Sequence, residues 1–205
     1  LGDNNRYANK LVCGVGISDK GKYEKYVNHK DTREYAMWQK MIARCYYDKA
    51  LAKQPTYESC IVEDHLLSFQ NFAEFYNENK WTDGLKLIAD KDILCHGREN
   101  KIYSRDTILF VDANINLLLT RRQNYRGEYP IGISKYRNKY KSMCNDKGEH
   151  IYLGLFDTTK EAFYEYKKYK ESVIKRVADE YRAKYPTFPD KIYKAMYEYE
   201  VFITD

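Results

Sequence analysis

Eight basic side chains, Arg121, Arg122, Arg126, Lys135, Arg137, Lys139, Lys141 and Lys147, stand between residues 121 and 152 against three acids, Glu128, Asp146 and Glu149. The formal charge of the 205-residue chain is only +5, so this one segment carries the whole excess and the rest of the chain balances. A local surplus of cations interleaved with tyrosines is what a phosphate-contacting surface requires, and phosphates dominate the binding of nucleic acids. The bland alternative is a solvated basic face.

Other chemistry is thinly marked. Five cysteines, Cys13, Cys45, Cys60, Cys95 and Cys144, are scattered, and no two have the two-residue spacing of structural zinc sites. Reduced thiols are expected, which fits a cytoplasm; Cys45 continues an apolar helical face and Cys144 an alternating strand, so both read as packing residues. Gly14-Val15-Gly16 lacks the third glycine and the following helix that a phosphate cradle needs. No apolar run approaches the roughly 20 residues of a membrane span, and Leu1 opens a polar stretch where a signal peptide would be apolar.

The elements that must position the basic residues can be read from periodicity. Lys10 to Ile17 and Tyr23 to Val27 suggest a short hairpin. Tyr35, Trp38, Met41, Ile42 and Cys45 share one helical face, and Phe69, Phe72, Phe75 and Tyr76 share another behind Ser68 as N-cap. Cys60 and Val62 suggest a strand before that second helix. Leu85 to Leu94 and Ile102 to Val111 read as two strands joined by the loop His96 to Lys101, and a helix over 113–122 ends in basic residues, which suits its dipole.

After a linker from Tyr125 to Pro130 come three strands, Ile131 to Lys135, Lys139 to Asn145 and His150 to Leu155, turning at Arg137-Asn138 and Asp146-Lys147-Gly148. Thr158 or Thr159 caps a long helix whose buried side is marked by Ala162, Phe163, Tyr166, Tyr169, Val173, Val177 and Tyr181. A last helix near Asp190 to Tyr199 and a short strand, Val201 to Ile203, follow. The class is α+β, with a three-stranded antiparallel sheet packed on a long helix and a helical C-terminal tail.

The run GISKYRNKYKSMCNDKGEHIYLGLFDTTKEAFYEYKKYK, Gly132 to Lys170, resembles the DNA-binding domain of the APETALA and ethylene-response factors, a domain also found in phage and bacterial nucleases. The likeness lies in the Gly-Ile start, the Lys139-Tyr140 strand, the Tyr152 to Thr158 ending and the Glu161-Ala162 helix entry. It implies that the free face of a three-stranded sheet enters the major groove. The positions that would carry the family's arginines and tryptophans read Ser134, Tyr136, Arg137, Met143, Asn145, His150 and Tyr152. With several arginines absent, phosphate contacts by Lys135, Lys139 and Lys141 are expected to supply much of the affinity.

The stretch Trp38 to Arg122 is similar to phage-borne HNH-type homing endonucleases, in the pieces WQKMIARCYY, PTYESCIVEDHLLSFQNFAEFY, DKDIL and GRENKIYSRDTILFVDANINLLLTRR. This implies an HNH-like ββα-containing domain over 1–124, a DNA-binding domain over 129–172 and a helical extension over 173–205. It also implies Mg²⁺ or another divalent cation held by Asp90 and Asn116 (or Asn114), with cleavage of duplex DNA.

The chain departs from that pattern where the chemistry would sit. Lys91 occupies the histidine position, Thr107 the asparagine position, Arg98-Glu99 are inserted after Gly97, and Arg105 stands where proline is common. His96, Asp92 and His65 are the alternatives for a replacement base, and Lys91 or Arg122 for neutralising charge.

The resemblance thus implies a DNA-binding homing endonuclease in the cytoplasm of a bacterial host. Two other readings stay open. One is a catalytically inactive DNA-binding or regulatory protein; the other is a phage inhibitor of a host defence protein, with a homodimer or a protein partner engaged through the C-terminal helices.

Overall fold

The computed structural model describes residues 11–95, 100–120 and 127–204. The chain divides into two compact units, Leu1–Ala113 and Asn114–Asp205. The helix over 113–122, assigned from sequence to the first domain, therefore falls with the second unit. No helix of the described residues is long and apolar enough to cross a membrane.

The first unit opens with a β-hairpin, β1 (Tyr26–Val27) and β2 (Lys30–Asp31), turned by Asn28 and His29, both at positive φ. The segment expected to form the hairpin's first strand instead makes an isolated bridge, Val12 to Gly16, around a tight turn at Cys13 and Gly14. Helices α1 (Arg33–Tyr46) and α2 (Asp48–Lys53) follow, then strand β3 (Ile61–Val62) and helix α3 (Phe69–Asn79).

Both long helices are capped as their sequences dictate: Thr32 Oγ1 accepts from Tyr35 N and Ser68 Oγ from Asn71 N. Their apolar stripes meet around Trp38, which is fully buried and donates from Nε1 to the Leu66 carbonyl at 3.1 Å.

The predicted strand pair is real but shorter. Strands β4 (Leu87–Asp90) and β6 (Leu109–Asp112) are antiparallel, with Asp90 opposite Leu109. Between them β5 (Ile102–Tyr103) pairs in parallel with β3. The expected strand Ile102 to Val111 is broken because Thr107 Oγ1 donates to the Ile102 carbonyl and both its amide and hydroxyl engage Ser104, closing a turn in its middle.

Helix α4 (Ala113–Leu119) starts at the last residue of the first unit and otherwise opens the second, which continues with β7 (Ile133–Tyr136), β8 (Lys139–Asp146), β9 (Glu149–Phe156), α5 (Thr159–Lys184) and α6 (Asp190–Tyr197). The three strands form an antiparallel meander in the order β7-β8-β9. Lys147 and Gly148, at φ 50° and 89°, make the two-residue turn that the strands' own twist favours. Thr158 and Glu161 form a reciprocal capping box at the start of α5, which runs unbroken across residue 173, so 129–172 and 173–205 share one helix.

The inner face of the sheet packs on α5. Cys144, Phe163, Tyr166 and Val201 form the buried cluster, with Ile131, Ile133, Leu153, Tyr169 and Tyr199 against it. Val201 belongs to a non-strand tail, not to the expected final strand; its amide donates to Glu171 Oε1. Farther along α5, Val173, Ile174 and Ala178 form the buried line, while Ile192, Ala195 and Met196 are the buried side of α6.

Gly132 sets the approach of sheet to helix. At φ +76°, a Cβ there would lie 2.2 Å from Tyr166 Cδ2 and 2.7 Å from the Met143 carbonyl oxygen. Gly132→Ala is expected to destabilise the second unit by roughly 1–3 kcal/mol in urea unfolding. Gly127→Ala, which meets nothing within 4 Å, should stay within about 0.5 kcal/mol of the parent.

Candidate nucleic-acid interface

The strand register decides which side chains of the sheet face away from α5. Directly paired residues share a face. Ile133, Ser142 and Gly154 align on one side, as do Cys144 with Ile151 and Asp146 with Glu149. That side is buried, with Ser142 and Cys144 at 0% and 2% exposure. The other side therefore carries Ser134 opposite Lys141, Tyr136 opposite Lys139, Met143 opposite Tyr152 and Asn145 opposite His150.

Ser134, Tyr136, Met143, Asn145, His150 and Tyr152, predicted on separate strands, are brought together here on one face. Its aromatic members are open to solvent, Tyr136 at 48% and Tyr152 at 57%. A bulge at Leu153 lets Tyr152 keep this face while Gly154, at φ +138°, rejoins the inner one.

Two expected contacts stand differently. Lys135 pairs with Tyr140 and alternates onto the side of Ile133, away from Ser134 and Tyr136. Arg137 lies in the β7–β8 turn at φ 55°, with its guanidinium 5.6 Å from the centre of the Tyr136 ring. Arg121, Arg122 and Arg126 lie outside the described residues.

The acids that the register places in this sheet, Asp146 and Glu149, lie on the side opposite to the presented face. Asp146 points to the helix side, where Oδ1 accepts from Arg176 Nη2 at 2.5 Å and Oδ2 from the Tyr169 hydroxyl at 3.1 Å. These bonds, the Arg176 guanidinium first, hold its carboxyl below the usual carboxylate range. Lys139 pairs with Asp157 at 3.0 Å and Lys147 with Glu180 at 2.9 Å, whereas Lys141 stands between Ser134 and Leu155 with no ion pair among the described residues.

In the first unit Asp90, Lys91 and Asp92 are linked by hydrogen bonds around the buried Lys91 side chain, with Asp92 itself exposed. Asp90 ends β4 because its Oδ1 accepts from the amides of Asp92 (2.8 Å) and Ile93 (2.9 Å). Asp92 is thus in a turn and not beside Asp90 on one strand face. Burial pushes the Asp90 carboxyl up, against the pull of those two amides.

Lys91, only 5% exposed, donates from Nζ to Asp92 Oδ1 and to the Asn100 carbonyl, both at 2.6 Å. It also lies 5.6 Å from the Tyr57 ring and 5.7 Å from the Tyr103 ring. A lysine so engaged is held in place and is not a mobile charge. Asn100, a residue the sequence did not single out as functional, completes these links by donating to the Lys91 and Ile102 carbonyls. Its role is legible only in the structure, where a near-buried asparagine has fixed partners.

Arg105 makes a bond that proline, the residue the resemblance would put there, could not. Its backbone amide donates to Glu63 Oε2 at 2.9 Å, while its guanidinium grips Glu63 Oε1. Those bonds hold the Glu63 carboxyl low. His65 sits on the turn Asp64–Leu67, where its carbonyl accepts from Asn71 Nδ2 at 3.0 Å. Thr107 is committed to its turn, and Asn116, in the second unit, has its amide 3.4 Å from Thr120 Oγ1. Asn114 stands two residues before it on α4, and His96 lies outside the described residues.

No protein-family model, no curated protein and no solved structure matches this chain.

The Asp146–Arg176 bond makes a pH prediction. A carboxyl held low in the folded state adds stability above its unfolded pKa, about 3.9, and that stability is lost as pH falls through the lower folded value. Asp146→Asn should lower Tm at pH 7 and flatten the fall of Tm on acidification below about pH 4, as read by thermal melts across pH.

Proposed function

We propose that this chain binds duplex DNA through the free face of β7–β9. The observation that carries the reading is the register: it gathers Ser134, Tyr136, Met143, Asn145, His150 and Tyr152 on one exposed face beside Lys139 and Lys141, while every acid paired there, Asp146 and Glu149, alternates to the opposite side. A strand ribbon of this width can enter a major groove, with lysines meeting phosphates and the polar and aromatic side chains meeting base edges.

Affinity for a duplex should fall steeply with salt, linearly on a log–log plot. Lys141→Ala should weaken binding and reduce that slope by about 1, whereas Lys135→Ala should leave both close to the parent values. Binding that ignores salt would contradict the reading and favour a protein partner.

A second reading, divalent-metal-dependent cleavage or nicking of DNA on an HNH-like frame, is favoured by Asp90. Its Oδ1 is fixed by two amides, so Oδ2 is held in one orientation, and Asp92 offers a second carboxylate two residues on. Hard carboxylate oxygens of this kind suit Mg²⁺, which takes one or two and keeps its waters. When bound, the ion would supply Lewis-acid stabilisation of a phosphoryl oxygen. The chain's own part is to orient Asp90 and, through Lys91 and Asn100, to fix the turn that bears Asp92.

Supercoiled plasmid incubated with Mg²⁺ or Mn²⁺ should be nicked by the parent and spared by Asp90→Ala. If the parent binds DNA without nicking it under either metal, the DNA-binding reading stands alone as that of a regulator.

A further inference from the structure

We infer that the free sheet face selects A·T-rich duplex and touches thymine methyl groups. The inference rests on the DNA-binding reading above and adds its substrate class. In the major groove, guanine shows two acceptors that an arginine fork matches, adenine an acceptor beside a donor that an amide side chain matches, and thymine a methyl group that apolar side chains touch.

The described face holds the partners of adenine and thymine. Met143 and Tyr152 are directly opposed at its middle, and Leu155, 39% exposed, lies across from Lys141. The next pair, Asn145 with His150, brings the amide. Asn145 Oδ1 accepts from Gly148 N at 3.3 Å, which orients the side chain and leaves the second oxygen lone pair and the Nδ2 donors for adenine N6 and N7.

Among the described residues, the strands of this face carry no arginine, the side chain whose fork fits guanine. Arg137 is in the turn, aligned with the Tyr136 ring, and Lys139 is paired with Asp157. Lys141 remains, a flexible point charge that suits a phosphate better than a two-acceptor base edge. The face therefore offers one amide and three apolar groups where guanine recognition would use a fork.

The test is fluorescence anisotropy of the full chain at one fixed salt concentration, on three duplexes of equal length: A·T-rich, G·C-rich, and the A·T-rich sequence with deoxyuridine in place of thymidine. The A·T-rich duplex should bind roughly ten-fold tighter than the G·C-rich one. Uridine substitution should weaken binding about four-fold for each methyl group withdrawn from the protein surface. Met143→Ala combined with Tyr152→Ala should erase the thymidine-over-uridine difference, and Asn145→Arg should move the preference towards G·C.

Equal affinity for all three duplexes, or tighter binding of G·C, overturns the inference and leaves the DNA-binding reading intact. An A·T preference indifferent to uridine also overturns it, since groove shape would then be the cause. Absence of binding to any duplex removes the DNA-binding reading itself.

Discussion

Everything proposed for the second unit depends on burying one face of a three-stranded sheet against α5. Side chains alternate along a strand, so once Ile133, Cys144 and Leu153 are committed to the cluster of Phe163 and Tyr166, their neighbours have only the opposite face to occupy. The commitment is tight, because Gly132 lets the Tyr166 ring approach to a distance no other residue would allow. A one-residue slip of β8 would send Lys141, Met143 and Asn145 into the core and is opposed by the whole packed layer. The outward face is a consequence of the inward one.

Electrostatics reinforces that arrangement. Asp146, Asp157 and Glu180 draw on Arg176, Lys139 and Lys147, tying strand ends and turns to each other and to α5. Such exposed pairs contribute little stability individually, but Asp146 also accepts from Tyr169 and is largely covered. Its placement on the helix side keeps a negative charge off the presented face. In the first unit the corresponding organiser is the buried Lys91, whose ammonium joins Asp92, the Asn100 carbonyl and two tyrosine rings. At the position where the resemblance calls for a histidine, the chain has a structural strut.

The sheet, its two turns and the capped helix were legible because each rests on local rules: period-two alternation, Lys147-Gly148 in a two-residue turn, and Thr158 with Glu161 as a reciprocal cap. Six members of the candidate face were named through the resemblance, and the strand register puts them on one side. Lys135 is not among them: it was expected as a phosphate contact from its charge, while alternation puts it on the side of Ile133, away from Ser134 and Tyr136. The strands around Asp90 and Thr107 were overextended because their ends are set by side chains bonding to backbone, Asp90 to two amides and Thr107 to a carbonyl. Such bonds leave no periodic trace. The burial of Lys91 was equally hidden, because it depends on Tyr57, Asn100 and Tyr103, which are distant from one another or unremarkable in the sequence.

The most direct measurement of the central claim is titration of a short duplex into ¹⁵N-labelled protein, followed by amide chemical shifts. The account predicts that the largest perturbations fall on the β7–β9 residues whose side chains face away from α5, Ser134, Tyr136, Met143, Asn145 and Tyr152 among them. Outward residues of α5 such as Tyr164 and Lys168 should be little affected. Perturbations concentrated on α5 and α6, or none at all at concentrations that saturate ordinary non-specific binding, would contradict it.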